Sequence, residues 1–134
     1  MKITVGMGSC GIAAGALEVW NRLTAEVEER QLDVSIGKNG CIGMCYIEPL
    51  IDVTDDSGNV YIYGNITPHK AVEVLDKHIA GSAPVEKYLV SSNTDENDFL
   101  KKQTRIALRN CGRIDPETIR DYIAKDGYKA LKRV

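Results

Sequence analysis

The stretch Leu50-Ile51-Asp52-Val53-Thr54-Asp55-Asp56-Ser57-Gly58-Asn59-Val60-Tyr61-Ile62-Tyr63 sets two strand-forming runs around a spacer of turn-forming residues. The runs 50–53 and 60–63 are therefore expected to pair as an antiparallel hairpin. What precedes the hairpin has a different pattern. Ile3 and Val5 alternate with Lys2 and Thr4, as in a half-buried strand ending at Gly6. Ala16, Trp20, Leu23 and Val27 then recur at helical spacing in a helix expected from about Ile12 to Arg30, with Glu18, Arg22, Glu26 and Glu29 on its outer face. Leu32, Val34 and Ile36 alternate again, so the opening unit predicts a parallel strand pair joined by a helical crossover. After the hairpin, Thr67 and Pro68 supply an N-cap and a first helical residue. The helix they open is expected to reach about Ala80 and to bury Ala71, Val72, Leu75 and Ile79.

The order β-α-β-β-β-α is that of a thioredoxin-like α/β sandwich, a four-stranded mixed sheet covered by two helices within about 90 residues. Gly6, Gly8 and Gly11 also satisfy G-x-G-x-x-G between a strand and a helix. Against a dinucleotide site, the second strand ends Ile36-Gly37-Lys38 with no acid for a ribose, and a hairpin cannot continue a doubly wound sheet. Residues 1–90 form the expected domain, and 91–100 a polar linker centred on the run from Ser91 to Asp98. In 101–134, Asp115 and Pro116 open a helix carrying Ile119, Tyr122 and Ile123, and Gly127 stops it. This C-terminal helical extension has too few apolar residues for a core of its own.

The 134 residues carry a net charge of −2 at pH 7, which leaves no electrostatic footprint for nucleic acid or an anionic membrane. No apolar run approaches the ~20 residues of a membrane-spanning helix, and the chain enters a strand directly, so a cytoplasmic location is expected. Four cysteines are too few for a disulfide scaffold; in a reducing compartment they point to metal or redox chemistry.

Cys10 follows the first strand, and Cys41-x-x-x-Cys45 lies in the loop from Gly37 to Pro49 after the second. A parallel β-α-β unit brings both loops, and thus three sulfurs, to one end of the sheet. Thiolates are soft ligands suited to iron-sulfur clusters or zinc. Gly8, Gly11, Gly40 and Gly43 let backbone approach them closely. Thiol redox chemistry fits less well, because Cys41 and Cys45 are one residue further apart than a C-x-x-C pair and lie in the second loop. The two histidines receive structural readings, His69 facing solvent and His78 complementing the dipole at a helix end.

Several segments together resemble a known family. They are Val5-Gly6-Met7-Gly8-Ser9-Cys10 with Gly15-Ala16-Leu17-Glu18-Val19, then Gly40-Cys41-Ile42-Gly43-Met44-Cys45, Pro49-Leu50-Ile51 and Gly64-Asn65-Ile66-Thr67-Pro68. Their order is similar to the thioredoxin-like [2Fe-2S] ferredoxin domain of the NADH dehydrogenase 24-kDa-subunit type. That domain is also found at the N-terminus of the NADH-binding flavoprotein subunit of complex-I-like and electron-bifurcating hydrogenases and formate dehydrogenases. Arg105 to Glu117, with Cys111, and Gly127-Tyr128-Lys129-Ala130-Leu131 resemble the opening of the flavoprotein part.

The resemblance implies an iron-sulfur electron-transfer domain with Cys10, Cys41 and Cys45 as cluster ligands and a cis proline at Pro49. It also implies single-electron exchange with a flavoprotein domain or subunit of an NAD(P)H-linked oxidoreductase complex. No catalysis is expected from this chain alone. FMN and NAD(P)H belong to a missing or partner domain, since the sequence ends where the family's flavin site would begin; a homodimer remains open. One departure stands out. The family's first loop carries two cysteines about five positions apart, and Val5 occupies the first of those positions. The fourth ligand is then unknown: Ser9 and Glu48 are the local oxygens, and Cys111 stays outside the ligand set. The competing expectation is a cluster-free thioredoxin-like docking module between redox subunits.

Overall fold

The computed structural model describes residues 1–94 and 102–134. Its strands are β1 (Lys2–Gly6), β2 (Ser35–Asn39), β3 (Ile51–Thr54), β4 (Val60–Tyr63) and β5 (Leu89–Ser92), in the spatial order β2-β1-β3-β4-β5. As expected, β1 and β2 are parallel and β3 and β4 form the antiparallel hairpin. The sheet has five strands rather than four. The added β5 pairs antiparallel with β4, Ser92 opposite Tyr61 and Ser91 opposite Ile62. Its serines read as linker in the sequence, but an edge strand is held by backbone hydrogen bonds and needs little apolar side chain. The polar run thus begins inside the sheet, and residues 95–100 of the expected linker, with residue 101 after it, lie outside the described residues.

The first helix is divided. Gly15 adopts φ +104°, a left-handed conformation that side chains disfavour, and separates α1 (Ser9–Ala13) from α2 (Ala16–Glu29). The second strand begins at Ser35, three residues later than its alternation starts, with Leu32 and Val34 packing against the core from the preceding loop. Next comes α3 (Pro68–Val74), capped by the Thr67 hydroxyl accepting from the Lys70 N–H at 3.3 Å, and it continues as a π-helical turn over Leu75–Ala80. In the tail, α4 spans Ile119–Ala124. No helix among the described residues is long and apolar enough to cross a membrane.

Ile3, Val5, Ile51, Val53 and Tyr63 of the sheet form one buried cluster with Ala16, Val19 and Leu23 of α2 and Ala71 and Val74 of α3. Burial of such side chains stabilises by about 1.5–3 kcal/mol each. Glu26 departs from its expected outer position: it is buried on α2, flanked by Arg22 and Arg30, and Arg30 also reaches Asp76 beyond α3. The register Thr4, Asp52, Ile62, Ser91 defines the opposite face of the sheet. There a cavity of about 630 Å³ is bounded by Lys2, Asp52 and Ile62 and, from the tail, by Arg105, Arg109 and Cys111. The extension therefore docks on the sheet instead of standing free.

His69 is exposed, as read from the sequence, but His78 is not a dipole-complementing surface residue. It is buried, stacks edge-on to Tyr61 at 4.6 Å and has Nδ1 2.7 Å from the Tyr63 hydroxyl. Burial lowers its pKa, against a small opposing pull from Asp55. The unfolded chain then takes up the proton first, so stability is intact above about pH 6.5 and drains as the pH falls below it. His78→Gln should lose less stability than wild type between pH 7 and pH 5. Urea unfolding of both proteins at the two pH values tests this, and equal losses would locate the acid sensitivity elsewhere.

Candidate metal centre

Because β1 and β2 are parallel neighbours, their C-terminal ends share one edge of the sheet. The chain leaves β1 at Gly6 and enters α1 with Cys10 in its first turn; it leaves β2 at Asn39 into the loop holding Cys41 and Cys45. Backbone bonds from Met7 N–H to Asn39 O at 2.9 Å and Gly6 N–H to Leu50 O at 3.0 Å fasten the loops together. Gly8 permits the approach, since a Cβ there would stand 2.9 Å from the Cys41 Cβ. Gly11 brings α1 against the end of β1, where a Cβ would meet the Gly6 carbonyl oxygen at 2.3 Å. The Glu48-Pro49 bond is cis, as the resemblance implied.

The Sγ atoms of Cys10, Cys41 and Cys45 all lie within 4.8 Å of one another, and those of Cys41 and Cys45 are 3.4 Å apart. Two thiolates sharing a tetrahedral metal, with bonds of about 2.3 Å, sit about 3.8 Å apart, so the donor set fits a thiolate-bound centre. Cys45 is exposed at the start of a short 3₁₀ turn, while Cys10 and Cys41 are half-buried. The Gly43 N–H donates to Cys41 Sγ at 3.3 Å and lowers that thiol's pKa. Hydrogen bonds to Cys45 and Cys41, followed by burial, push Cys10 up to about 12.

Other candidates do not join the sulfurs. Val5 is fully buried in the core and carries no donor atom. Ser9 is exposed at the start of α1, and Cys111 lies outside the three-sulfur group although its loop presses on the cysteine loop, Gly112 against Ile42. Glu48, by contrast, is buried, accepts from the Leu50 N–H at 2.8 Å through Oε2, and receives the Cys10 thiol at 3.6 Å on Oε1. Burial raises its pKa against those two hydrogen bonds. The sequence marked Glu48 only as a nearby oxygen; nothing in its pattern signals that the carboxylate turns inward.

No protein-family profile matches the chain. It is 30% identical over 95 residues to a 2Fe-2S ferredoxin of Aquifex aeolicus, a match covering 69% of this chain and 82% of that one. It is 27% identical over 85 residues to the NADP-reducing hydrogenase subunit HndB of Solidesulfovibrio fructosivorans, covering 63% of this chain and 68% of that subunit. A 34-residue stretch is 68% identical to HndC of the same hydrogenase, covering 25% of this chain but only 7% of that subunit's length. Among solved structures, a thioredoxin-like [2Fe-2S] ferredoxin from Aquifex aeolicus superposes with a TM-score of 0.59 at 24% identity, covering 67% of this chain and 95% of that one. A second structure of such a ferredoxin from the same organism gives a TM-score of 0.62 at 21% identity, over 73% of this chain and 96% of the other.

Proposed function

This chain belongs to the thioredoxin-like [2Fe-2S] ferredoxin family, and from that membership we propose that it is an electron-transfer domain binding a [2Fe-2S] cluster through Cys10, Cys41 and Cys45. The convergence of those three sulfurs within 4.8 Å carries the reading. When bound, the cluster supplies one-electron redox chemistry. The chain's own part is to hold and tune it. Bare backbone at Gly8 closes the two loops, the Gly43 N–H withdraws charge from Cys41, and the buried end of β1 keeps water from one side. Cys45 and the neighbouring Tyr46 are exposed, which leaves the other side open to a partner.

The partner we propose is a flavin-containing domain or subunit of an NAD(P)H-linked oxidoreductase. This is supported by the likeness to HndB and HndC, both subunits of an NADP-reducing hydrogenase. Residues 1–90 would hold the cluster, with 101–134 as the start of a flavoprotein-type segment. The second reading, a cluster-free docking module, draws on Val5, an apolar residue in the position where the family carries a ligand.

Anaerobic purification with iron and acid-labile sulfide assays separates the two. About two irons and two sulfides per chain, with visible absorption, is the expected result, and Cys41→Ser with Cys45→Ser should abolish it. A colourless protein that cannot be reconstituted would overturn the cluster and favour the docking module; zinc without colour would overturn both.

A further inference from the structure

Three cysteines leave a four-ligand centre one donor short, and Val5 cannot provide it. We propose that Glu48 is the missing ligand, its carboxylate oxygen completing the donor set that Cys10, Cys41 and Cys45 begin. This rests on the cluster reading above and specifies its site.

The donor atoms form one group, with the three sulfurs within 4.8 Å of one another and the carboxylate beside Cys10. With bonds of about 2.3 Å to sulfur and 2.0–2.2 Å to oxygen, a tetrahedral metal spaces a thiolate and a carboxylate oxygen about 3.6 Å apart and two thiolates about 3.8 Å apart. Cys10 Sγ and Glu48 Oε1 are 3.6 Å apart, and the Cys41 and Cys45 sulfurs 3.4 Å. The carboxylate is also held in place. Its second oxygen accepts the Leu50 N–H at 2.8 Å, which leaves Oε1 directed at Cys10. Space is reserved for it on the far side, because a Cβ on Gly11 would come within 3.1 Å of Glu48 Oε2 and one on Gly6 within 3.4 Å.

Charge supports the same assignment. A carboxylate carries the single negative charge that a fourth thiolate would have brought, so the ligand set keeps four negative groups. The remaining oxygens are worse placed. Ser9 is exposed, and its hydroxyl gives up a proton far less readily than a carboxyl group does, while Asp52 is already engaged by the Asn39 amide at 2.7 Å.

The test compares wild type, Glu48→Gln and Glu48→Ala after anaerobic reconstitution with iron and sulfide. Readouts are metal content, visible spectrum, far-UV circular dichroism and the effect of added 2-mercaptoethanol. Both variants should hold at least tenfold less iron and labile sulfide than wild type while keeping its circular dichroism. In Glu48→Ala the small thiolate should enter the vacated position and restore a cluster with a shifted visible spectrum; wild type should not respond to it. Variants that load two irons with an unchanged spectrum would overturn Glu48 as a ligand and leave the cluster reading standing. Low iron that thiol does not restore, in a protein with wild-type circular dichroism, would make Glu48 a positioning residue and overturn ligation. Failure of wild type itself to load would remove the cluster reading and this inference with it.

Discussion

Gly11→Ala should lower both the thermal midpoint and the iron content of the reconstituted protein. A Cβ at this position would lie 2.3 Å from the Gly6 carbonyl oxygen and 3.3 Å from its carbon, and both are backbone atoms that no rotamer change can move. The strain is relieved only by drawing α1 away from the end of β1. Overpacking of this kind costs about 1–3 kcal/mol and occasionally more, or roughly 5–10 °C in a domain of this size. Cys10 is the preceding residue, so the same displacement pulls its sulfur away from Glu48 and from the Cys41–Cys45 pair. Gly40→Ala is the control. It lies beside Cys41, yet a Cβ there meets nothing nearer than Pro116 Cγ at 4.0 Å. Thermal scans by circular dichroism and iron assays on the three proteins should show loss in Gly11→Ala alone. Wild-type values in that variant would mean that the contact of α1 with β1 is not needed to assemble the site.

Gly11 also shows what the sequence could and could not convey. As part of Gly6, Gly8 and Gly11 it resembled a nucleotide fingerprint, and only the missing acid after the second strand and the hairpin downstream argued otherwise; its contact with Gly6 is a tertiary fact. The strand alternation at Ile3 and Val5, the turn from Asp55 to Asn59 and the Thr67-Pro68 cap were legible because local chemistry sets them. Local chemistry said little about the sheet edges. On one side β2 starts at Ser35 rather than Leu32, and on the other β5 is built partly from serines, because ladder hydrogen bonds and not side-chain pattern define both. The convergence of three cysteines followed from topology alone, since parallel adjacent strands must end together. Inward-turned polar groups were the least visible: Glu26, Glu48, Asp52 and His78 all have the surface residue types that usually face water, and only packing reveals their burial.

Asp52 yields the second large effect. It sits in the middle of β3 on the face away from α2 and α3, between Thr4 and Ile62, and is 8% exposed. Burial pushes its pKa up to about 7; the Asn39 hydrogen bond and Lys2 oppose this, and Glu48 adds to it. Arg105, Arg109 and Arg113 of the tail line the same cavity. With a folded pKa above the unfolded value of about 3.9, the native state keeps the proton longer. Its contribution is whole below about pH 4, drains as the pH rises, and is gone once the pH passes about 7. At about 1.4 kcal/mol per unit, the full loss approaches ~4 kcal/mol. Asp52→Asn keeps the shape and an oxygen for the Asn39 amide but has no proton to release. Its advantage over wild type should therefore grow by about 2–3 kcal/mol between pH 5 and pH 8, read as urea midpoints of the thiol-reduced, metal-free proteins. A difference constant with pH would mean that the carboxylate is solvated or neutralised by the tail arginines. Asp52 bonds Asn39 rather than any of the three thiols, so iron loading should stay at the wild-type level. The paired outcome, altered pH dependence with intact loading, is the reverse of the Glu48 variants, and it separates the two buried carboxylates by role: one set against the stability of the sheet, the other committed to the metal.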